Sequence, residues 1–451
     1  MSIRLDWQVE TDIAAERAGE DPAARRLRRR QRLAIIAFTL LLFVLAGGVV
    51  ALIAWRLNTV DTTLRQGVIN TARAEQNALK IGDLSEYMSL MRGGNLNYIP
   101  EQTARFNRYQ DLKQKGAIQF SGNIDAEVDG QRGRALVEEL INGQPTLALW
   151  YFWRYPDGWR HVPTDYTFWG ETRTLENKTL SITYGSTDEA IAQVLFESAG
   201  RWWTAGCAAL GCTTPPPLHI KITPCVSCAP RWDDADPNLL VVASPLATAA
   251  DRAPLELSPD QEEAIAERLA EHSFEVASGA LRPNANSDAA WLQQTITEWL
   301  TAATLGRGNP AQIGFIQSVR DAYGAETIPA LVKALSPNSD ISILGKVLGQ
   351  PLNALTVDWR TFFQWRLALE RELLKANNQK DFLALWDSGA DALVNARRRL
   401  AQPGAALAQV QSVTLGVTAA GIPAALVRTT VNNVAASVEF HIVNGTWKRF
   451  A

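Results

Sequence analysis

Residues 33–55 read LAIIAFTLLLFVLAGGVVALIAW, an uninterrupted run of 23 residues without a charged side chain. As a helix rising about 1.5 Å per residue, the run is long enough to cross a hydrocarbon core of about 30 Å. A cleaved signal peptide usually has a shorter apolar region of about 7–15 residues and no long tail before it. The run therefore predicts a single transmembrane helix that acts as a signal anchor.

Basic residues are concentrated on the N-terminal side of this run. The six arginines there are Arg25, Arg26, Arg28, Arg29, Arg30 and Arg32. On the far side, only Arg56 and Arg65 lie nearby. Because basic flanks remain in the cytoplasm, we expect residues 1–32 to form a cytoplasmic tail of a single-pass plasma-membrane protein. The C-terminus is then expected outside the cytoplasm.

The overall composition is that of a globular protein with several domains. The chain has 451 residues, of which 47% are apolar and 20% charged, and its formal net charge is −3. A chain of this length is too long for one ordinary domain. Because basic residues form no stripe beyond the N-terminal tail, we expect no nucleic-acid partner.

Residues 56–172 follow the membrane run and change from a helical to a strand pattern. We predict a stalk over 56–72, then an α+β module over 73–172 that opens with two helices and continues as an antiparallel sheet. Its predicted hairpin turns are Asp129-Gly130, Asn142-Gly143 and Asp157-Gly158.

Residues 375–451 repeat the same order of elements. A helical stretch is followed by three strand patterns, and the closing hairpins PDGWRHV (156–162) and VNGTWKRF (443–450) match in style. We interpret the two segments as an internal duplication. In element order and closing hairpin, both resemble the nuclear transport factor two-like (cystatin-like cone) fold, whose members are often binding or spacer modules.

The region between these modules, residues 175–370, alternates strands and amphipathic helices. One helix is predicted to begin at Ser258 as N-cap, with Pro259 at its first position and Glu262 near the capping-box position. A second is predicted between Ser287 as N-cap and Gly306 as its end.

The end of this region carries a more specific resemblance. The segments ALSPNSD and ILGKVLGQPLNALTVDWRTFFQWRL, within residues 334–367, resemble the end of the peptidase MA-like (gluzincin) domain of many bacterial membrane proteins. That family binds zinc through H-E-x-x-H on one helix and a glutamate in a later W-L-x-E-G-x-A segment. The fold class expected is therefore α+β multidomain, with one transmembrane helix and two cone-like modules flanking a zincin-like domain.

The resemblance implies that the zinc site is degenerate. Trp291–Glu298 is similar to the later segment and places Gln294 at the ligand glutamate. The earlier helix is similar at 268–272, where Arg268 replaces the first histidine, Leu269 replaces the catalytic glutamate and His272 is retained. Zinc catalysis needs three ligands, an open position and a base, so no metal ion and no catalytic residue are expected.

His272 itself has two interpretations. It recurs with Ile265, Leu269 and Val276 at helical spacing, which favours a partly buried, hydrogen-bonded side chain. The alternative is a metal-binding H-x-x-E pair with Glu275, although no other ligand occurs at comparable spacing.

The four cysteines lie within 22 residues, at Cys207, Cys212, Cys225 and Cys228. Outside the cytoplasm disulfides persist, so we favour two disulfides of undetermined pairing. A four-thiolate zinc site, or free or redox-active thiols, are the alternatives.

These observations favour a non-catalytic role for the chain. No cofactor is expected, and the predicted partners are the lipid bilayer and a peptide or protein ligand outside the cytoplasm. One alternative is an active membrane-bound hydrolase with unusual metal ligands, although no nucleophile elbow, P-loop or dinucleotide-binding motif occurs. The other is a signalling protein that acts through its short tail.

Overall fold

A computed structural model describes residues 22–93, 97–212, 214–225, 228–248, 252–254, 257–308, 310–401, 408–432 and 434–451. Over these ranges the protein is mixed α+β, with one long apolar helix near the N-terminus and several sheets. This confirms the predicted fold class at that level. The predicted tail lies mostly outside the described residues, because residues 1–21 are not among them.

The N-terminal helix α1 runs without interruption over Pro22–Ile81, for 60 residues. Within the described residues it is the one helix long and apolar enough to cross a membrane. The predicted stalk is part of it, and the helical stretch predicted from residue 73 is its last part, followed after a break at Gly82 by a short second helix. The helix ends at Gly82, whose φ of 90° is in the left-handed region that favours glycine.

The chain forms two compact units. The first comprises Met1–Gln114, Gly122–Ala135 and Trp150–Pro163, and the second comprises Lys115–Ser121, Leu136–Leu149 and Thr164–Ala451. The first unit contains the helices α2 (Leu84–Ser89) and α3 (Tyr98–Gln114).

Four strands follow α3 in sequence, and each pairs with the next. They are β1 (Ile118–Asp129), β2 (Arg132–Ile141), β3 (Gln144–Tyr155) and β4 (Gly158–Val162). The three predicted hairpin turns are confirmed. At one of them, Asn142 and Gly143 both have positive φ angles of 52° and 79°, as a type I′ turn requires.

The second unit contains a five-stranded sheet in the order β5-β6-β7-β9-β8. Its strands are β5 (Thr172–Glu176), β6 (Leu180–Gly185), β7 (Leu218–Thr223), β8 (Arg231–Trp232) and β9 (Leu239–Ala243). The central β6, β7 and β9 are parallel, whereas the outer β5 and β8 are antiparallel to their neighbours. A further short strand, β10 (Arg252–Pro254), pairs with β3 and was not predicted.

The second unit also contains a set of helices. They are α4 (Glu189–Ala209), α5 (Pro245–Thr248), α6 (Pro259–Ser278), α7 (Asp288–Leu305), α8 (Pro310–Tyr323), α9 (Thr327–Ala334), α10 (Ser342–Leu348) and α11 (Arg360–Lys375). The predicted caps Ser258, Ser287 and Gly306 are confirmed. The capping-box partner of Ser258 is Gln261 rather than the predicted Glu262, because Gln261 is the third helical residue.

The C-terminal segment contains α12 (Gln379–Ala384), α13 (Ala390–Leu400) and the strands β11 (Gln409–Val417), β12 (Pro423–Val431), β13 (Val434–Val443) and β14 (Thr446–Arg449). These strands pair in sequence order and antiparallel. The single helix predicted over 379–401 is wrong, because the backbone at Trp386 pairs with Arg449 and separates α12 from α13. The predicted module boundary at 370–375 lies inside α11, whose Phe363 packs against both Trp359 and Phe440.

Candidate functional site

Helix α6 carries three of the predicted zinc-site positions, and none of their side chains points into an open site. Leu269 is 1% exposed and belongs to the core. Arg268 donates from Nε to the carbonyl of Pro230 at 3.2 Å and from Nη1 to Glu271 Oε2 at 2.7 Å. The guanidinium is therefore committed to two neighbouring acceptors.

His272 lies between two tryptophans. Its ring centroid is 5.3 Å from that of Trp203 and 4.4 Å from that of Trp232. Nδ1 lies 3.3 Å from Glu275 Oε2, and Nε2 lies 3.2 Å from Asn238 Oδ1. Because both ring nitrogens have hydrogen-bond partners and the residue is 7% exposed, the imidazole presents no free nitrogen to a metal.

Gln294 is on the exposed face of α7, away from these contacts. Its Nε2 donates to Glu298 Oε1 at 2.9 Å, within the same helix. The structure thus places Arg268 and His272 on one helix but brings Gln294 to neither of them. Among the described residues, no group of three or more His, Cys, Asp or Glu side chains is arranged to hold a metal ion.

Gln294 instead lines a surface groove of about 520 Å³ between α7, α11 and the start of β11. We call it the α7–α11 groove; its lining residues are Trp291, Gln294, Thr295, Glu298, Asp358, Arg360, Thr361, Gln364, Trp365, Ala368 and Val410. Trp291 and Trp365 are stacked, with ring centroids 5.8 Å apart. The groove thus has aromatic side chains beside exposed polar groups.

One wall of the α7–α11 groove carries a bidentate ion pair. Arg360 donates from Nε and Nη2 to the two oxygens of Asp358, at 2.9 and 2.6 Å. This guanidinium holds the pKa of the Asp358 carboxyl below its ordinary value, and the hydrogen bonds to Asp358 in turn raise the pKa of Arg360. On the same helix, Gln364 donates to the carbonyl of Ala408 and accepts from the amide of Val410.

A second cavity, of about 480 Å³, lies between α6 and α7 and is acidic. Its lining includes Glu263, Glu267, Glu298 and Arg307. Burial raises the pKa of Glu267, and the neighbouring carboxylate of Glu271 raises it further. A carboxyl group with a raised pKa in a cavity can act as a proton donor.

The four cysteines form two pairs of different oxidation state. Cys225 and Cys228 are joined by a disulfide. Cys207 and Cys212 are thiols, so the structure contains one of the two expected disulfides. Burial raises the pKa of the Cys207 thiol to about 12, with a further contribution from Cys212 beside it. Because zinc binds the thiolate, this environment opposes the four-cysteine zinc site.

A third cavity, of about 500 Å³, is strongly polar. We call it the polar cavity; it is lined by Asn284, Ala285, Asn286, Ser287, Asp288, Asn338, Ser339, Asp340, Arg366, Leu369, Leu373, Asp381, Ala384, Leu385, Thr446 and Lys448. Arg366 and Asp288 form a buried ion pair at 2.9 Å. Apart from the N-cap Ser287, the sequence does not single out these residues, because they come from segments that are far apart along the chain.

Each unit also contains a buried carboxylate with two cationic or titratable partners. In the first unit, Glu75 Oε2 lies 2.8 Å from His161 Nδ1, and Glu75 Oε1 lies 3.7 Å from Arg105 Nη1. In the second unit, Glu370 is 2.6 Å from Arg449 Nη1 and 3.2 Å from Arg399 Nε. The glutamates are 0% and 3% exposed.

The backbone around the two clusters makes the same pattern of hydrogen bonds. His161 donates its amide to Leu90 and accepts from the amide of Arg92, while Arg449 makes the same two bonds with Leu385 and Asp387. The signal in the sequence is EQNALKIGD at 75–83 against ERELLKANN at 370–378, where glutamate, leucine and lysine coincide and the final residue caps the next helix. This match was not among the signals from which the duplication was predicted.

No protein-family model and no curated protein matches the chain.

Proposed function

We propose that this protein is a membrane-anchored binding protein whose globular part lies outside the cytoplasm and whose metallopeptidase-like region is catalytically inactive. The observation that carries the proposal is helix α1. Its residues between Leu33 and Leu57 expose large apolar side chains, whereas Val68 and Ala72, further along the same helix, are 0% exposed. One continuous helix thus provides both a membrane anchor and part of the core of the first unit.

The orientation rests on charge. Arg26, Arg28, Arg29 and Arg32 are exposed on the N-terminal part of α1, and a basic flank stays on the cytoplasmic side of a membrane. By the same rule, everything after the apolar segment is exported. The Cys225–Cys228 disulfide supports this proposal, because disulfides persist mainly outside the cytoplasm.

The absence of catalysis is inferred from the resemblance together with the contacts of the four positions. Arg268 would place a fixed positive charge where a dication must bind, and Leu269 cannot accept a proton from water. His272 already has partners on both ring nitrogens. These side chains offer structural contacts in place of a zinc site.

We assign ligand binding to the α7–α11 groove, and we expect a peptide or protein segment there. Stacked Trp291 and Trp365 supply apolar contact area, and Gln294 and the Asp358–Arg360 pair supply polar contacts at the edge. Aromatic and arginine side chains are enriched among the residues that dominate protein interfaces.

The test uses the full chain in detergent with a library of unstructured peptides, and measures binding and cleavage together. We expect binding without cleavage, and at least tenfold weaker binding after Trp365→Ala. Lys346→Met, an exposed change outside the groove, is the matched control. Peptide cleavage that a metal chelator abolishes would contradict the proposal.

A second candidate, an active hydrolase, is favoured by one observation. Burial raises the pKa of Glu267, which lines the acidic cavity together with Glu298, and paired carboxyl groups serve in acid–base hydrolysis. Glu267→Gln should leave peptide binding unchanged if the first proposal holds, and should abolish any hydrolysis if the second does.

A further inference from the structure

The polar cavity contains buried polar atoms that the protein leaves without a hydrogen-bond partner. Thr446 Oγ1 and Arg366 Nε have none among the described residues, although Thr446 is 7% and Arg366 6% exposed. Because water is lost on burial, an unsatisfied polar atom is costly and rare in folded proteins. Both atoms belong to side chains that line this one cavity.

Strand β14 explains why these donors converge. Side chains alternate along a strand, so Thr446 and Lys448 share the face that lines the cavity, while Trp447 between them is 0% exposed in the core. Arg366 Nη2 donates to the carbonyl of Trp447 at 3.2 Å, which holds the guanidinium against the same strand. Hydroxyl, ammonium and guanidinium groups thus approach the cavity from adjacent positions.

Lys448 retains unused capacity to donate. Among the described residues it makes one hydrogen bond, from Nζ to the carbonyl of Ala384 at 2.6 Å, although an ammonium has three donors. Burial lowers the pKa of Lys448, and the positive charge of Arg366 lowers it further. An anionic group beside Lys448 would stabilise its ammonium form.

The cavity also carries negative charge. The Asp288 carboxylate is fully engaged, by Arg366 on one oxygen and by the amide of Ile341 on the other. Asp340 accepts from Ser342 on one oxygen, and Asp381, which also lines the cavity, accepts from Asn378 on one oxygen. The amides of Asn284, Asn286 and Asn338 complete the lining. A ligand that carried only negative charge would face these carboxylates, so the cavity is complementary to a molecule with both charges.

We propose that the polar cavity binds a small zwitterion of the amino-acid class, with its carboxylate toward Thr446, Lys448 and Arg366 and its ammonium toward Asp340 and Asp381. A cavity of about 500 Å³ accommodates a molecule of this size. This inference goes beyond the binding role proposed above, because it concerns a site separate from the α7–α11 groove.

The experiment measures the thermal unfolding of the full chain in detergent with each standard amino acid in turn. Acetate, methylammonium and inorganic phosphate, each of which carries charge of one sign only, serve as control ions at the same concentration. We expect at least one amino acid to raise the unfolding temperature while the control ions do not. Thr446→Val and Lys448→Met should each weaken the binding of that amino acid at least tenfold, and Lys346→Met should leave its binding unchanged.

Three results would overturn the inference: no shift with any amino acid, a shift that survives both variants, or an equal shift with acetate or phosphate alone. Thr446→Val nearly preserves side-chain volume. A far-ultraviolet circular dichroism spectrum checks that each variant is folded. Peptide binding to the α7–α11 groove is measured separately on the same preparations. Failure at the polar cavity is therefore distinguishable from failure of the proposed function.

Discussion

Glu75 and Glu370 show how a single buried residue type can organise two modules. Each is a carboxylate on the last turns of a long helix, eight residues before a side chain that caps the next helix. Removing one partner of a buried ion pair leaves the other charge uncompensated, so such clusters are sensitive to substitution. The main chemical difference between the two clusters is that the Glu75 cluster has His161 at the position where the Glu370 cluster has Arg449.

Glu370→Gln should therefore be strongly destabilising. It removes the charge that pairs with both Arg449 and Arg399, and we expect a loss of about 3 kcal/mol in the free energy of unfolding. Denaturant titration of the full chain measures this loss. Glu372→Gln, on the exposed side of the same helix, is the control and should have no measurable effect. Equal stability of the two variants would refute the role assigned to the buried cluster.

Glu275 makes a pH-dependent contribution. Hydrogen bonds from His272 and Arg282 hold the pKa of its carboxyl below the ordinary value. A lowered folded-state pKa means that the contribution is fully present above the unfolded value of about 4.3 and is lost as the pH falls through the folded value. Glu275→Gln should flatten the acid limb of a plot of unfolding free energy against pH. An unchanged acid limb would contradict this account.

At the scale of elements, the features that depend only on neighbouring residues could be predicted from the sequence. The apolar run, the hairpin turns at Asn142-Gly143 and Asp157-Gly158 and the caps at Ser258 and Ser287 depend on neighbouring residues alone. The break after α12 was missed because it depends on pairing of Trp386 with Arg449, more than sixty residues away. The polar cavity was missed for the same reason.

The cysteine pairs belong to this scale because each lies within one short segment of the chain. Cys207 and Cys212 are adjacent thiols, so export to an oxidising compartment with a disulfide donor should join them. Trypsin separates residues 202–221 from residues 222–231, with one pair in each peptide. We expect each peptide from protein purified without reductant to lack two hydrogens, as mass spectrometry can show. Alkylation of both Cys207 and Cys212 would contradict this expectation.

At the scale of the whole molecule, the mixed α+β class and the long apolar helix followed from the sequence, because hydrophobic periodicity determines both. The resemblance to gluzincins and to cone-like modules remains a proposal. The matching clusters around Glu75 and Glu370 support the proposed duplication of the first and last modules. The parallel strands β6, β7 and β9 support a different architecture for the region between them. The surroundings of Arg268 and His272 could not be predicted from spacing, because Pro230, Trp232 and Asn238 come from a distant segment.

Protease treatment of intact cells that produce the full chain tests the central claim most directly. If α1 anchors the protein with its globular part outside, the added protease should remove the C-terminal part and leave a membrane-bound N-terminal fragment. Trypsin is suitable, because Arg56 and Arg65 follow the apolar segment directly. A chain that remains intact until the cells are lysed, or that fractionates without the membrane, would contradict the account.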